Sequence, residues 1–197
     1  MNENQNLENW MRFLNPENLR GNLMLSSLYI AFFESFKDYF VSSVRGFYTT
    51  GFSGDKEIIS KDYNLKVKSK SKNLTEATLL WFKEGNAITD NDLAIFEELR
   101  KCRNKCAHDL MNLLFDGLSE DLPEKFNQLF HLWVKIEKWW IINIEIPTET
   151  GEDNVSEING DEIIAHSQVI KKLIFDVLAG DEKQLSYYRD QILKSSN

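Results

Sequence analysis

Aromatic and aliphatic side chains recur every three or four positions between Leu25 and Phe40, and this spacing constrains the fold more than any other feature of the chain. It is the period of an amphipathic helix. The residues that repeat are Leu25, Leu28, Tyr29, Phe32, Phe36, Tyr39 and Phe40, continued by Val44, Phe47 and Tyr48. We therefore predict a helix over about 17–48 whose aromatic face packs into a core, and whose end is set by the glycines of residues 51–54.

Capping residues and prolines mark the starts of further helices. Asn73 or Thr75 can cap a helix that ends near Gly85, and the stretch Thr89-Asp90-Asn91-Asp92 offers capping residues for the next one. Pro123 fits the first turn of a helix that runs to about 142. The remaining assignments are shorter helices over about 7–14, 163–178 and 182–194, a lysine-rich loop with helical flanks over 56–73, and a short extended piece over 144–147.

Composition indicates one all-α domain. The 197 residues are 42% hydrophobic and 12% aromatic, which suffices for a large core. Only three prolines and nine glycines argue against a sandwich of short strands. We predict a single domain over 1–197, with a helical core over about 17–146, an acidic loop over about 147–162 and additional C-terminal helices over 163–195.

Targeting signals and membrane spans are not expected. The sequence contains no run of about 18 apolar residues, and its first residues are polar and acidic, unlike a signal peptide. We therefore expect a cytoplasmic protein with no membrane partner. In that reducing compartment Cys102 and Cys106, four positions apart, remain thiols and serve as small core residues.

Charge is distributed unevenly. The formal net charge of −8 argues against general nucleic-acid binding. Residues 145–162, however, contain seven acidic and no basic residues, so the rest of the chain is close to neutral. Residues 61–75 carry five lysines against Asp62 alone, which is consistent either with a solvated connection or with a basic edge that follows phosphates.

Arg103, Asn104 and His108 lie within six residues and suit chemistry on a phosphate. Histidine titrates near neutrality and can act as general acid or base. Arginine keeps its charge and matches phosphate oxygens. The apolar stripe of this predicted helix is Leu93, Phe96, Leu99, Cys102, Cys106, Leu110 and Leu113. The helical period places Asn104 and His108 opposite that stripe, one turn apart, and Arg103 at its edge, about 140° from His108.

The segment Arg103-Asn104-Lys105-Cys106-Ala107-His108 resembles the signature of HEPN domains. In that signature a small polar residue follows the arginine, and a histidine lies five positions after the arginine. The resemblance implies a HEPN-like helical bundle and a metal-independent endoribonuclease, without cofactor, of a toxin–antitoxin or anti-phage system. Some antitoxin-paired members have a tyrosine two residues after the histidine. That position is Leu110 here, so we do not expect regulation through a tyrosine at this point.

In the resembled family two motif helices pair across a two-fold axis. The resemblance therefore implies a homodimer with a composite active site, an RNA substrate, and an antitoxin or defence-system partner. The implied catalytic roles are phosphate stabilisation by Arg103, orientation by Asn104 and general acid–base catalysis by His108. An acidic residue touches the motif arginine in some members, and Glu34 is the candidate here. The candidate substrate-binding residues are Arg100, Lys101, Lys105 and Glu34.

Three other interpretations of this segment were weighed. A zinc site at Cys102, Cys106 and His108 has too few ligands and places His108 away from the thiols, so we expect no metal site. A Cys106–His108 dyad fails because side chains two apart on a helix diverge. The alternative to a ribonuclease is a non-catalytic HEPN-like dimerisation module, which the net charge of −8 favours.

Overall fold

The computed structural model describes residues 3–117, 121–151, 160–178 and 183–195. The regular secondary structure of these ranges is helical except for one β-hairpin, so the predicted all-α class is confirmed. The helices are α1 (Glu3–Phe13), α2 (Pro16–Phe47), α3 (Lys61–Lys66), α4 (Leu74–Glu84), α5 (Asp90–His108), α6 (Leu110–Asp116), α7 (Leu122–Trp140), α8 (Ile146–Thr150), α9 (His166–Leu178) and α10 (Lys183–Ser195). In the described ranges no helix has the length and hydropathy needed to cross a bilayer.

The aromatic face of α2 forms the centre of the core, as its spacing predicts. Asn15 caps the helix by accepting hydrogen bonds from the backbone N–H groups of Glu17 and Asn18. Its buried residues include Tyr29, Phe32, Phe33, Phe36 and Phe40. These side chains pack against α5 and α7 in edge-to-face and stacked pairs. Each such pair adds about 0.5–1.5 kcal/mol to the free energy of area burial, so α2 holds α5 in a fixed orientation.

A hairpin and a short helix occupy much of the segment predicted to be a loop, so that prediction is wrong. Strands β1 (Thr49–Ser53) and β2 (Lys56–Ile59) pair in antiparallel fashion around a turn at Gly54, whose φ is +61°. Ser60 then caps α3 by accepting from the backbone N–H of Asp62. Tyr63 and Val67 are buried, and their burial stabilises a helix too short to show a clear period.

The motif helix ends sooner than its hydrophobic pattern indicates. The apolar stripe continues to Leu113, which predicts one long helix with the motif near its middle. The structure instead ends α5 at His108 and begins α6 at Leu110. The interruption lies at Asp109, and α1 contacts the other end of α6, where Arg12 donates to the backbone oxygen of Asp116, its last residue, at 2.6 Å. The prediction of an uninterrupted helix is therefore wrong, and the motif occupies the last turns of α5.

The chain divides into two compact units, Met1–Leu132 and Trp133–Asn197, with the boundary inside α7. In the second unit the buried carboxylate of Glu137 accepts from the backbone N–H of Ser167, in the first turn of α9. The extended piece predicted over 144–147 is wrong, because Ile141–Glu145 forms a π-helical turn and α8 follows it. Most of the predicted acidic loop, residues 152–159, lies outside the described residues.

Candidate functional site

Arg103 is anchored between α5 and α2. Its guanidinium forms an ion pair with Glu34 of α2, which is the contact expected from the sequence. Its Nη1 also donates to Oδ1 of Asn104 at 3.0 Å. The Nε atom is buried and has no hydrogen-bond partner among the residues the structure describes. Arg103 is thus held in place by contacts on two helices, and its buried Nε is a donor that no described residue satisfies.

Glu34 joins two cations. It pairs with Arg103 and, within α2, with Lys37 three residues later. Partial burial disfavours the charged carboxylate, but the hydrogen bonds from Lys37 and Arg103 outweigh it and lower the pKa of Glu34 below its usual value. Glu34 therefore stays ionised near neutral pH. The role of Lys37 was missed, although its spacing of three from Glu34 on a helix is the signal that finds such a pair.

His108 lies apart from this network. It is the last residue of α5, it is exposed, and its side chain forms no hydrogen bond with any residue within the described ranges. Asn104, which was expected to share a face with His108 and to orient it, instead accepts a hydrogen bond from Arg103. Within one chain the arginine and the histidine of the motif therefore occupy different surroundings, with the arginine anchored against α2 and the histidine open to solvent.

A cavity of about 410 Å³ opens between α2, α4 and α5. Arg103, Asn104 and Glu34 line it, and His108 does not. Helix α4 borders it with its first turns, and Asn73, rather than Thr75, caps that helix by accepting from the backbone N–H of Glu76. The full lining consists of Phe33, Glu34, Lys37, Asn73, Thr75, Glu76, Leu79, Leu80, Leu93, Phe96, Glu97, Arg100, Arg103 and Asn104.

The other candidate substrate-binding cations lie along α5 at its surface. Arg100 pairs with Glu97 and Lys101 with Glu98, both at a spacing of three residues. Lys105 is exposed and takes part in no ion pair that the described residues form. Because exposed pairs of this kind contribute little and exchange readily, these cations remain available to an incoming phosphate.

The lysines of residues 61–75 are largely occupied by their own chain. Lys66 pairs with Asp62, Lys70 pairs with Glu84, and Lys68 lies over the ring of Tyr63 at 5.3 Å from its centre. This stretch therefore presents less free positive charge than its composition indicates.

The two cysteines form part of the wall of α5 that faces the core. Cys106 is buried and Cys102 is half-buried. Their mutual contact lowers the pKa of Cys102, while that contact and burial raise the pKa of Cys106. Across the described ranges no three His, Cys, Asp or Glu residues come close enough together to hold a metal ion.

No family model, curated protein or solved structure matches this chain. The HEPN resemblance consequently rests on the six residues of the motif and on the helical setting in which they occur.

Proposed function

We propose that this protein is a metal-independent endoribonuclease of the HEPN type that acts as a toxin or anti-phage defence effector in the cytoplasm. The observation that carries the proposal is the contrast at the end of α5, where Arg103 is fixed as a cation and His108 is exposed. A histidine kept for folding would be expected to pack or to bond to its own chain. His108 does neither among the described residues.

The chemistry uses the nucleophile that RNA itself carries. A base takes the proton of a 2′-OH, the oxygen attacks the adjacent phosphorus, and the 5′-oxygen leaves with a proton from an acid. The products are a 2′,3′-cyclic phosphate and a 5′-OH. Histidine suits the proton transfers, and the guanidinium of Arg103 suits the charge that develops on the phosphorane oxygens. Asn104 keeps Arg103 in position through their 3.0 Å hydrogen bond.

The site requires a second copy of the chain. Arg103 and His108 are about 140° apart around α5, so one helix presents them poorly to a single phosphate. A two-fold homodimer that brings the ends of two α5 helices together would supply the arginine of one copy and the histidine of the other. Arg100, Lys101 and Lys105 would then line the rim of the shared cleft.

The first test is cleavage of RNA in the presence of EDTA. We expect His108→Ala and Arg103→Ala each to reduce the rate at least about 100-fold, because each removes a group that acts on the transition state. The products of the wild-type reaction should end in a cyclic phosphate.

The matched control is His131→Ala, which removes another exposed histidine, on α7. It should leave the rate unchanged. Wild-type protein that folds and dimerises yet cleaves neither tRNA nor total RNA, or a His108→Ala variant as active as wild type, would contradict the proposal.

The second candidate function is a non-catalytic dimerisation module. One observation favours it, namely that the guanidinium of Arg103 already pairs with Glu34 of its own chain. The same cleavage experiment separates the two functions, since a module would dimerise without cutting RNA in any variant.

A further inference from the structure

Most of the lining of the cavity between α2, α4 and α5 takes no part in the proposed phosphate chemistry. Its floor is apolar, with Phe33, Leu79 and Phe96 each only 3% exposed. The rings of Phe33 and Phe96 stack with their centres 5.4 Å apart and stiffen this floor. A volume of about 410 Å³ lies within the range of small-ligand sites. The cavity therefore has the volume and the apolar floor to accept a small organic group.

The rim of the cavity is polar but balanced in charge. Lys37, Arg100 and Arg103 face three carboxylates, those of Glu34, Glu76 and Glu97. An anion entering the cavity would meet as many negative as positive charges, so the rim does not select a phosphate. It offers donors and acceptors side by side, which suits an uncharged heterocycle with N–H and C=O groups on one edge.

Glu97 and Arg100 define that edge most clearly. Nε and Nη2 of Arg100 both donate to Oε2 of Glu97, at 3.1 and 2.8 Å. Within the described ranges this leaves Oε1 of Glu97 as an acceptor and Nη1 of Arg100 as a donor without a protein partner. Both side chains are 51% exposed and line the cavity.

Among the four RNA bases, guanine complements this pair. Its Watson–Crick edge carries two adjacent donors, N1–H and the 2-amino group, next to the acceptor O6. A carboxylate accepts from the two donors and an arginine donates to O6. Adenine, cytosine and uracil do not present two adjacent donors, so a carboxylate at this place would leave them with fewer hydrogen bonds.

We propose that this cavity binds a single unpaired guanine of the RNA substrate. Oε1 of Glu97 lies between N1–H and the 2-amino group and accepts from both, Nη1 of Arg100 donates to O6, and the half-buried side chains of Leu80 and Leu93 cover the base. Arg103 lies in the wall of the same cavity, so cleavage falls at a phosphate next to the bound guanine. This assignment rests on the proposed ribonuclease function and adds its base specificity.

The test measures binding, which does not depend on cleavage. The full chain carrying His108→Ala is titrated against labelled octamers of uridine with one central guanosine, adenosine, cytidine or inosine, and anisotropy is recorded. We expect the guanosine octamer to bind about tenfold more tightly than the others, as a bidentate base contact implies. Inosine, which lacks the 2-amino group, should lose most of that preference.

Two variants of α5 make a matched pair for this measurement. Glu97→Gln should remove the preference for guanosine while leaving the binding of all-uridine octamers. Glu98→Gln breaks an equivalent pair on the same helix, that with Lys101, outside the cavity, and should keep the preference. Circular dichroism of both variants establishes that each is folded.

Equal binding of all octamers, or a guanosine preference that survives Glu97→Gln, overturns the assignment. Binding of guanosine monophosphate without any preference among the octamers also overturns it, because the cavity would then serve a free nucleotide. Cleavage of RNA without any base preference would contradict guanine binding in the cavity, while supporting the ribonuclease function. A guanosine preference in binding without any cleavage by wild type keeps the base pocket and removes the ribonuclease.

Discussion

Arg103 is positioned before any substrate binds. Its guanidinium contacts Glu34 of α2 and Asn104 of α5. Only 27% of the Arg103 side chain is exposed. A cation fixed in this way needs little reorganisation when charge develops on a phosphate. The ion pair between Arg103 and Glu34 also joins α5 to α2, so we expect it to contribute to the free energy of unfolding. Because the pKa of Glu34 is lowered, this contribution depends on pH.

We expect Glu34→Gln to reduce the free energy of unfolding by about 1 kcal/mol at pH 7. The pKa of Glu34 is lowered in the folded chain, so the folded state binds this proton more weakly than the unfolded state does. The stabilisation is fully present above the pKa of an unfolded glutamate, about 4.3, and is lost as the pH falls through the folded value. Urea unfolding of both proteins between pH 3 and 7 measures the difference.

Glu57→Gln is the matched control for this effect, because Glu57 pairs with Arg45 at a more exposed position. It should change stability less than Glu34→Gln does. A stability difference between wild type and Glu34→Gln that is the same at pH 3 and pH 7 would contradict the assigned role of the ion pair.

At this scale the sequence predicts part of the site. Helical period places Arg103 at the edge of the apolar stripe, and the resemblance names Glu34 as its contact, which the structure confirms. The hydrogen bond from Arg103 to Asn104 was not predicted, because the period of a helix gives the direction of a side chain but not the rotamer it adopts. Neighbouring side chains decide the rotamer, and those come from α2 and α4.

Helix α5 shows which helix boundaries a sequence determines. The stretch Thr89-Asp90-Asn91-Asp92 predicts its start, and the structure has a complete capping box there, with Thr89 and Asp92 each accepting from the other's backbone. Its end at His108 was not predicted, since the apolar stripe continues without a glycine or proline. The contacts of α1, which is distant in sequence, lie at the other end of α6, at Asp116.

The cap of α5 gives a prediction for a whole element. Thr89→Ala should lower the free energy of unfolding by about 1 kcal/mol, because the backbone N–H of Asp92 loses its acceptor. Asn91 lies in the same first turn and forms no capping bond in the described structure. Asn91→Ala should therefore change the free energy of unfolding by less than half as much. Equal effects of the two substitutions in thermal or urea unfolding would show that the cap does not stabilise the helix.

The hairpin and α3 were missed for a different reason. Gly54-Asp55 is a two-residue turn signal between the two short stretches that form β1 and β2. From the sequence we interpret the glycines of residues 51–54 only as the end of α2. Helix α3 has six residues, too few for a hydrophobic period, and Ser60 was the one available start signal. Short elements of this kind are fixed by tertiary burial, here of Tyr63 and Val67, which a sequence pattern does not reveal.

For the molecule as a whole, the separation of Arg103 from His108 is the central fact. One chain presents an anchored cation in a cavity and an imidazole on its surface, and no described residue connects them. If the protein is a ribonuclease, the two groups must meet across a dimer. One chain would then supply Arg103 and the other His108, and this division can be tested directly.

The decisive measurement is RNA cleavage, in the presence of EDTA, by a mixed dimer. Arg103→Ala and His108→Ala chains carrying different affinity tags are co-expressed, and the dimer that retains both tags is purified. The mixed dimer contains one intact Arg103 and one intact His108, on different chains. We predict that it cleaves RNA to cyclic phosphate ends, whereas the dimer of either variant alone does not. A purified mixed dimer as inactive as both parents, or the absence of any doubly tagged species, would contradict a composite active site.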